Sequence, residues 1–269
     1  MPYWSASWHA ETVKQPLGYT RVTGENVPIG AIHTSGKLHF MVNKWLTEAV
    51  SNNAAWCDAI AMSLDLPTHW NESIWMSEYP VPRFYPNIVT LRSGDLIDEL
   101  IDSIGPRLTP GWGIKDSFSE LDLDNKKFVL AFAAHWYCRV PDQDVTGEIN
   151  QNIRIDTVKD QSELNRWVTA WGDGSGIFKS SLLENSSIEL LYVERDEKVV
   201  SGLAANLSGD SVGISNAYGP PNEILGCVTS LIKRYPTKGI VGYGSKAEIE
   251  ALSKVGFQAI GDLRVWLRD

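Results

Sequence analysis

No stretch of this chain approaches the roughly eighteen consecutive apolar residues that a membrane-spanning helix needs. The opening "MPYWSASWHAETVK" lacks a basic region followed by an apolar core, so no secretion signal is read and the cytoplasm is the expected location. Cysteine is scarce. Cys57, Cys138 and Cys227 are odd in number and too far apart for a zinc knuckle or a CxxC pair, so they are expected to be buried, reduced thiols. Basic residues are in deficit, 24 Lys and Arg against 33 Asp and Glu, for a net charge of −9. That balance argues against a nucleic-acid partner, because phosphate backbones need a basic surface. A small anionic cosubstrate needs only a local cluster of donors and stays open. His33 and His39 are isolated from other ligating side chains, and no metal site is expected.

What is present fits a soluble globular protein: 43% hydrophobic and 21% charged residues in 269, enough for one large domain or two ordinary ones. The 11 tryptophans are many for this length. Several stand beside Pro, Gly or charge, as in "PGWGIKD" and "LPTHWNESIWMSEYPVPRFYP". Such rings suit either a half-buried ligand wall or an ordinary core.

The first 40 residues, in short mixed pieces, read as an arm or cap. From Phe40 to Leu64 apolar residues recur at helical spacing, Pro67 ends the run, and Asn52-Asn53 is a candidate break between two helices. A Pro-punctuated extended stretch follows, with "NIVTL" able to pair after Asn87. "SGDLIDELIDSIG" predicts a short helix with Ser93 or Asp95 near its N-cap. Ser117–Leu123, "DNKK" and Phe128–Val140 read as a hairpin. On its long strand Phe128, Leu130, Phe132, Ala134, Trp136 and Cys138 share one face. The other, from Val129 to Arg139, runs from small to polar residues like a groove floor. The polar stretch 141–151 is the linker candidate, dividing 1–140 from 152–269.

The second half has a clear order: strand "NIRIDTV", helix "QSELNRWVTAW", a "GDGSG" loop, then three strands turning at "RDEK" and "LSGD". Next come helix "NEILGCVTSLIKRYP", strand "KGIVGYGS", helix "KAEIEALSKVGF" and strand "QAIGDLRVWLRD". The pattern β-α-βββ-α-β-α-β predicts an α/β (α+β) fold, a mixed sheet flanked by helices.

That order, closing on "SKVGFQAIGDLRVW", resembles the GNAT (Gcn5-related N-acetyltransferase) superfamily over about residues 151–269. The first half looks like a diverged partial copy of the same plan, as in two-lobed bacterial acyltransferase-like proteins. The resemblance implies two parallel strands splayed at mid-sheet and an acyl-CoA, such as acetyl-CoA, lying in the gap. It implies a pyrophosphate held by backbone N–H groups where the fourth strand enters a helix. Aligned on Gly226, the family's turn motif puts Glu223 where Arg or Gln is usual and Val228 where Gly or Ala is usual. A frequent catalytic Tyr on the late helix is Leu252 here. Pro220 and Pro221 remove two N–H donors.

On this resemblance Asn216, Ala217, Gly226, Cys227, Val228 and Tyr243 are the expected cofactor contacts. Tyr218, His135 and Glu194 are the acid–base candidates for acyl transfer to a small-molecule amine. The competing expectation is a catalytically silent GNAT-like protein that binds a small molecule or a partner. Exposed edge strands and surplus Trp are compatible with a homodimer. "GYGSKA" mimics a dinucleotide fingerprint with Asp262 about 20 residues on. Too little chain follows it, however, to complete a nucleotide-binding sheet.

Overall fold

The computed structural model describes residues 35–94, 97–142, 154–172 and 176–268, with side chains from residue 42 onward. The N-terminal arm, His33, the side chain of His39, Asp95, and most of the expected linker and "GDGSG" loop lie outside the described residues. The strands are β1 (His69–Trp70), β2 (Ile74–Met76), β3 (Ile88–Thr90), β4 (Gly113–Asp116), β5 (Phe128–Arg139), β6 (Ile155–Thr157), β7 (Ile188–Arg195), β8 (Lys198–Ser208), β9 (Ser211–Tyr218), β10 (Gly239–Gly244) and β11 (Gln258–Arg268). They form one mixed sheet in the order β1-β2-β3-β4-β11-β5-β10-β9-β8-β7-β6. The helices are α1 (Ser35–Ser63), α2 (Asp98–Ile104), α3 (Gln161–Trp171), α4 (Pro221–Arg234) and α5 (Lys246–Ser253).

Side-chain alternation along β7 shows how the layers divide. Leu191 and Val193 pack with Ile224, Cys227 and Leu231 of α4 and with Ile249 and Leu252 of α5. Leu190 and Tyr192 pack on the opposite face with Trp56 and Ile60 of α1 and Leu164 and Trp167 of α3. The element order of residues 155–268 follows the sequence reading. Its turns come from residues suited to them: Asp196 and Glu197 at φ 48° and 60° between β7 and β8, and Gly256 at φ 90° before β11.

Four expectations are corrected. The helix does not break at Asn52-Asn53, because both side chains find tertiary partners that outweigh their weak helix propensity. The buried Asn52 amide donates to the Asn206 carbonyl at 2.9 Å and to Ser211 Oγ at 3.1 Å, and Asn206 returns a bond to the Asn52 carbonyl at 3.1 Å. The hairpin over 117–140 is absent. Residues 117–123 are not a strand, and β11 sits between β4 and β5, pairing antiparallel with both. The single apolar face expected on β5 is also interrupted: Phe132 pairs with Val265 but Leu130 with Trp266, so one extra β5 residue turns the chain over. Ala134, Trp136 and Cys138 face α1, while Phe128 joins the core under α2. Nor does Ser93 cap α2; its hydroxyl donates to Glu120 at 2.7 Å, and the N-cap position is Ile97.

Asn52 is therefore the polar rivet holding α1 against the β8–β9 corner. Asn52→Ala is expected to cost about 2 kcal/mol by stranding buried acceptors, read from the urea midpoint at unchanged slope.

Candidate active site

β9 and β10 run parallel and pair at only three positions: Gly239 with Ser211, Ile240 with Val212 and Val241 with Gly213. Both strands continue beyond that point, to Tyr218 and Gly244. Their separation has a local cause. Between its pairings with Gly202 (Tyr218) and Ala204 (Ser215), β9 spends three steps where β8 spends two. The extra residue is a bulge, with Asn216 at φ 51°. A bulge bends its strand and ends regular pairing. β10 meanwhile stays paired with β5 as far as Gly244 and His135. One strand thus follows β8 and the other follows β5, and a wedge opens between them.

Asparagine tolerates the left-handed conformation, and here its side chain also fixes the bulge. Asn216 Oδ1 accepts from Trp56 Nε1 at 3.0 Å and from the Tyr85 hydroxyl at 3.2 Å. A cavity of about 90 Å³ fills the wedge and passes through the sheet. Asn53, Trp56 and Cys57 of α1 line it from one face; Ile224, Val228, Glu248 and Leu252 of α4 and α5 line it from the other. A second cavity of about 360 Å³ lies against the first on the α1 side. It is bounded by the 80–87 segment, the 109–113 turn, Phe132 and Val265. Phe84, Tyr85, Pro86, Lys115 and Tyr243 border both.

The chemistry within reach is limited and specific. Glu248 enters the wedge from the first turn of α5, where Ser245 and Glu248 form a reciprocal cap: Ser245 N–H to Glu248 Oε2 at 2.5 Å and Glu248 N–H to Ser245 Oγ at 3.3 Å. Burial holds the Tyr137 phenol well above its ordinary range, with Glu248 and Tyr243 adding to the effect, so this group stays protonated. Burial also pushes the Cys57 thiol up to about 11, which leaves it an inert wall at neutral pH. Lys115 is 4% exposed; its ammonium donates to Asn53 Oδ1 at 2.6 Å and lies 4.2 Å from the centroid of the Tyr243 ring.

Of the cofactor contacts expected from sequence, Asn216, Ala217, Val228 and Tyr243 line the wedge. Gly226 and Cys227 do not. The strand-to-helix turn is only Gly219 and Pro220, α4 begins at Pro221, and both residues are buried past its first turn. The same shortness alters the helix start. Pro220 and Pro221 have no N–H, and the amides of Glu223 and Ile224 both close on the Pro220 carbonyl at 3.1 Å. Glu223 is buried there and paired with Arg195 of β7.

The three acid–base candidates are not brought together, and none lines either cavity. The bulge turns Tyr218 to the α3 side, where its hydroxyl donates to the Trp167 carbonyl at 3.2 Å. Burial there holds its phenol protonated. Glu194 is held by Arg166 of α3. His135 Nδ1 lies 2.6 Å from Asp262 on the neighbouring strand β11, a partly exposed pair. The residues missed from sequence are Asn53, Tyr85, Lys115, Tyr137 and Glu248. Two of them had a visible signal: Tyr137 lies on the β5 face read as a groove floor, and Glu248 has the S-x-x-E spacing of a capping box inside "GSKAEIE".

The sequence matches no protein-family model, and it matches no curated protein. Solved structures are similar to it at the level of fold. A GCN5-related N-acetyltransferase from Kribbella flavida superposes with a TM-score of 0.55 at 8% identity, covering 80% of this chain and 95% of that one. A conserved protein of unknown function from Staphylococcus epidermidis gives 0.52 at 10% identity, covering 76% and 94%. A GNAT-family protein from Novosphingobium aromaticivorans gives 0.51 at 9%, covering 79% and 94%. The chain has the fold of the GNAT acyltransferases, a mixed α/β sheet whose parallel pair parts at mid-length.

Because Asn216 sets the bulge, Asn216→Ala is expected to destabilise by about 3 kcal/mol, combining two orphaned donors with a strained backbone. Asn216→Gly, which relieves the backbone, is expected to cost about 1 kcal/mol less. Urea unfolding of the two variants checks the order.

Proposed function

We propose that the protein is an N-acyltransferase that takes an acyl group from acyl-CoA, acetyl-CoA among them, to the amine of a small molecule. The parting of β9 from β10, with a cavity running through the sheet at that point, is the observation that carries this reading. A thioester laid in the wedge meets backbone groups of Asn216 and Ala217 that the bulge has freed from pairing with β10, and side-chain walls from Val228 and Tyr243. An amine arriving from the α1 side attacks the carbonyl carbon; its nitrogen–carbon bond forms and the carbon–sulfur bond breaks. In this reading Glu248 takes the amine proton, directly or through a water, the protonated Tyr137 donates a hydrogen bond to the departing thiolate, and the thiolate takes its proton from solvent. Tyr218, His135 and Glu194 have no part in it.

The helix start favours a second reading, a silent GNAT-like binding protein. Two prolines and an internal Glu223–Arg195 pair stand where the fold otherwise offers amides to a pyrophosphate. The two readings separate on donor fragments. Titration calorimetry of acetyl-CoA and S-acetylpantetheine is expected to give affinities within about tenfold of each other, since the phosphates gain little here. Val228→Phe, which fills the wedge from α4, is expected to abolish both while the protein still unfolds cooperatively. Absence of heat from either ligand at about 1 mM, a level at which a specific ligand stabilises measurably, overturns the transferase reading in favour of the silent one.

A further inference from the structure

Lys115 is a cation placed where a protein rarely leaves one. It lies on the α1 side of β4, is almost wholly buried, and borders both cavities. Among the described residues no carboxylate comes within ion-pairing distance of it. Of its three N–H donors, one reaches Asn53 Oδ1 and the ammonium rests on the Tyr243 ring. A buried ammonium held by one neutral acceptor and a ring is under-compensated, and an apolar side chain of the same length would pack there without that cost. Among the described residues the larger cavity beside it has no Asp or Glu in its lining; Phe84, Tyr85, Trp112, Phe132 and Tyr243 contribute rings to its walls, and Arg83, whose guanidinium lies over the Phe84 ring, is at its edge. Its volume of about 360 Å³ falls within the range that small-molecule sites occupy.

We propose that the larger cavity binds a small molecule with an aromatic or bulky apolar body and a carboxylate, and that Lys115 is the anchor for that carboxylate. The ligand oxygen completes the ammonium's hydrogen bonds and supplies the missing countercharge in a site sheltered from water, where such a bond is strongest. Asn53 and Tyr243 hold the ammonium in place before the ligand arrives. The transferase reading gives the anchor its consequence, for it makes the acceptor an amine that also bears a carboxylate, of the size of an aromatic amino acid. The binding claim itself stands without that reading.

The probes are L-phenylalanine, phenylacetate and L-phenylalaninamide, the last identical in body but lacking the carboxylate. Titration calorimetry with the full chain is expected to show L-phenylalanine and phenylacetate binding at least about tenfold tighter than the amide. Lys115→Met is expected to erase that preference and to leave the thermal midpoint of the free protein unchanged or raised, since an unpaired charge has been removed. Lys115→Gln, which keeps a donor for Asn53, is the companion variant and is expected to lose the preference equally. Equal affinity for acid and amide in the wild type overturns the proposal, as does preference retained in either variant. A clear fall in midpoint in both variants assigns Lys115 a structural role and overturns it too. Acetyl-CoA titrated into the same samples keeps the two ideas apart. Carboxylate preference without acetyl-CoA binding leaves the anchor standing and removes the transferase, and the reverse result removes only the anchor.

Discussion

The structure turns on one residue's backbone. Asn216 sits at a positive φ in the second half of β9, and the extra step it inserts turns the strand away from β10. Without the bulge the two strands would be free to pair along their length, as parallel neighbours ordinarily do. Two donors, the buried Trp56 from α1 and the half-buried Tyr85 from the segment before β3, hold that conformation. The same two residues line the opening. Strain of this kind persists only where surroundings over-determine it. Here they do so from an element far from β9 in sequence, so the first half of the chain is a working wall of the site.

The two ends of the wedge differ in character. Toward α5 the cavity has freed backbone groups of β9, a capped carboxylate in Glu248 and a phenol in Tyr137 that burial keeps protonated. At the start of α4 the helix begins on two prolines and carries the internal Glu223–Arg195 salt bridge. An anion there meets fewer amides than a helix start normally presents. On the transferase reading proposed above, a donor is gripped mainly by its pantetheine arm. On the α1 side the charge balance is the reverse: the Lys115 ammonium is buried with a neutral acceptor, Asn53, and the Tyr243 ring.

The C-terminal order was legible because its signals are local: apolar periodicity in α3, α4 and α5, and turn residues at Asp196-Glu197, Gly209 and Gly256. What the sequence could not show is non-local. The 117–140 segment reads as a hairpin because its halves are adjacent, yet β11, more than a hundred residues on, is the better partner for both β4 and β5. The bulge is hidden in "SVGISNAY", whose alternation looks regular and so points Tyr218 to the wrong side. Asn53 reads as part of a candidate helix break, and nothing in the sequence singles out Lys115, until α1 and β4 are seen to share a wall. Gly226 and Val228 were aligned as a turn, but the turn is two residues long and only Val228, one face of a helix, reaches the wedge.

The central claim is that β9 and β10 stand apart beyond Gly213 and Val241 and that an acyl donor lies between them. Amide hydrogen exchange resolved by NMR tests it directly. The account requires the gap-facing amides of residues 214–217 to exchange much faster than those of 211–213 in the free protein, and to gain protection when acetyl-CoA is added. Protection of 214–217 equal to that of 211–213 before any ligand is present would contradict it.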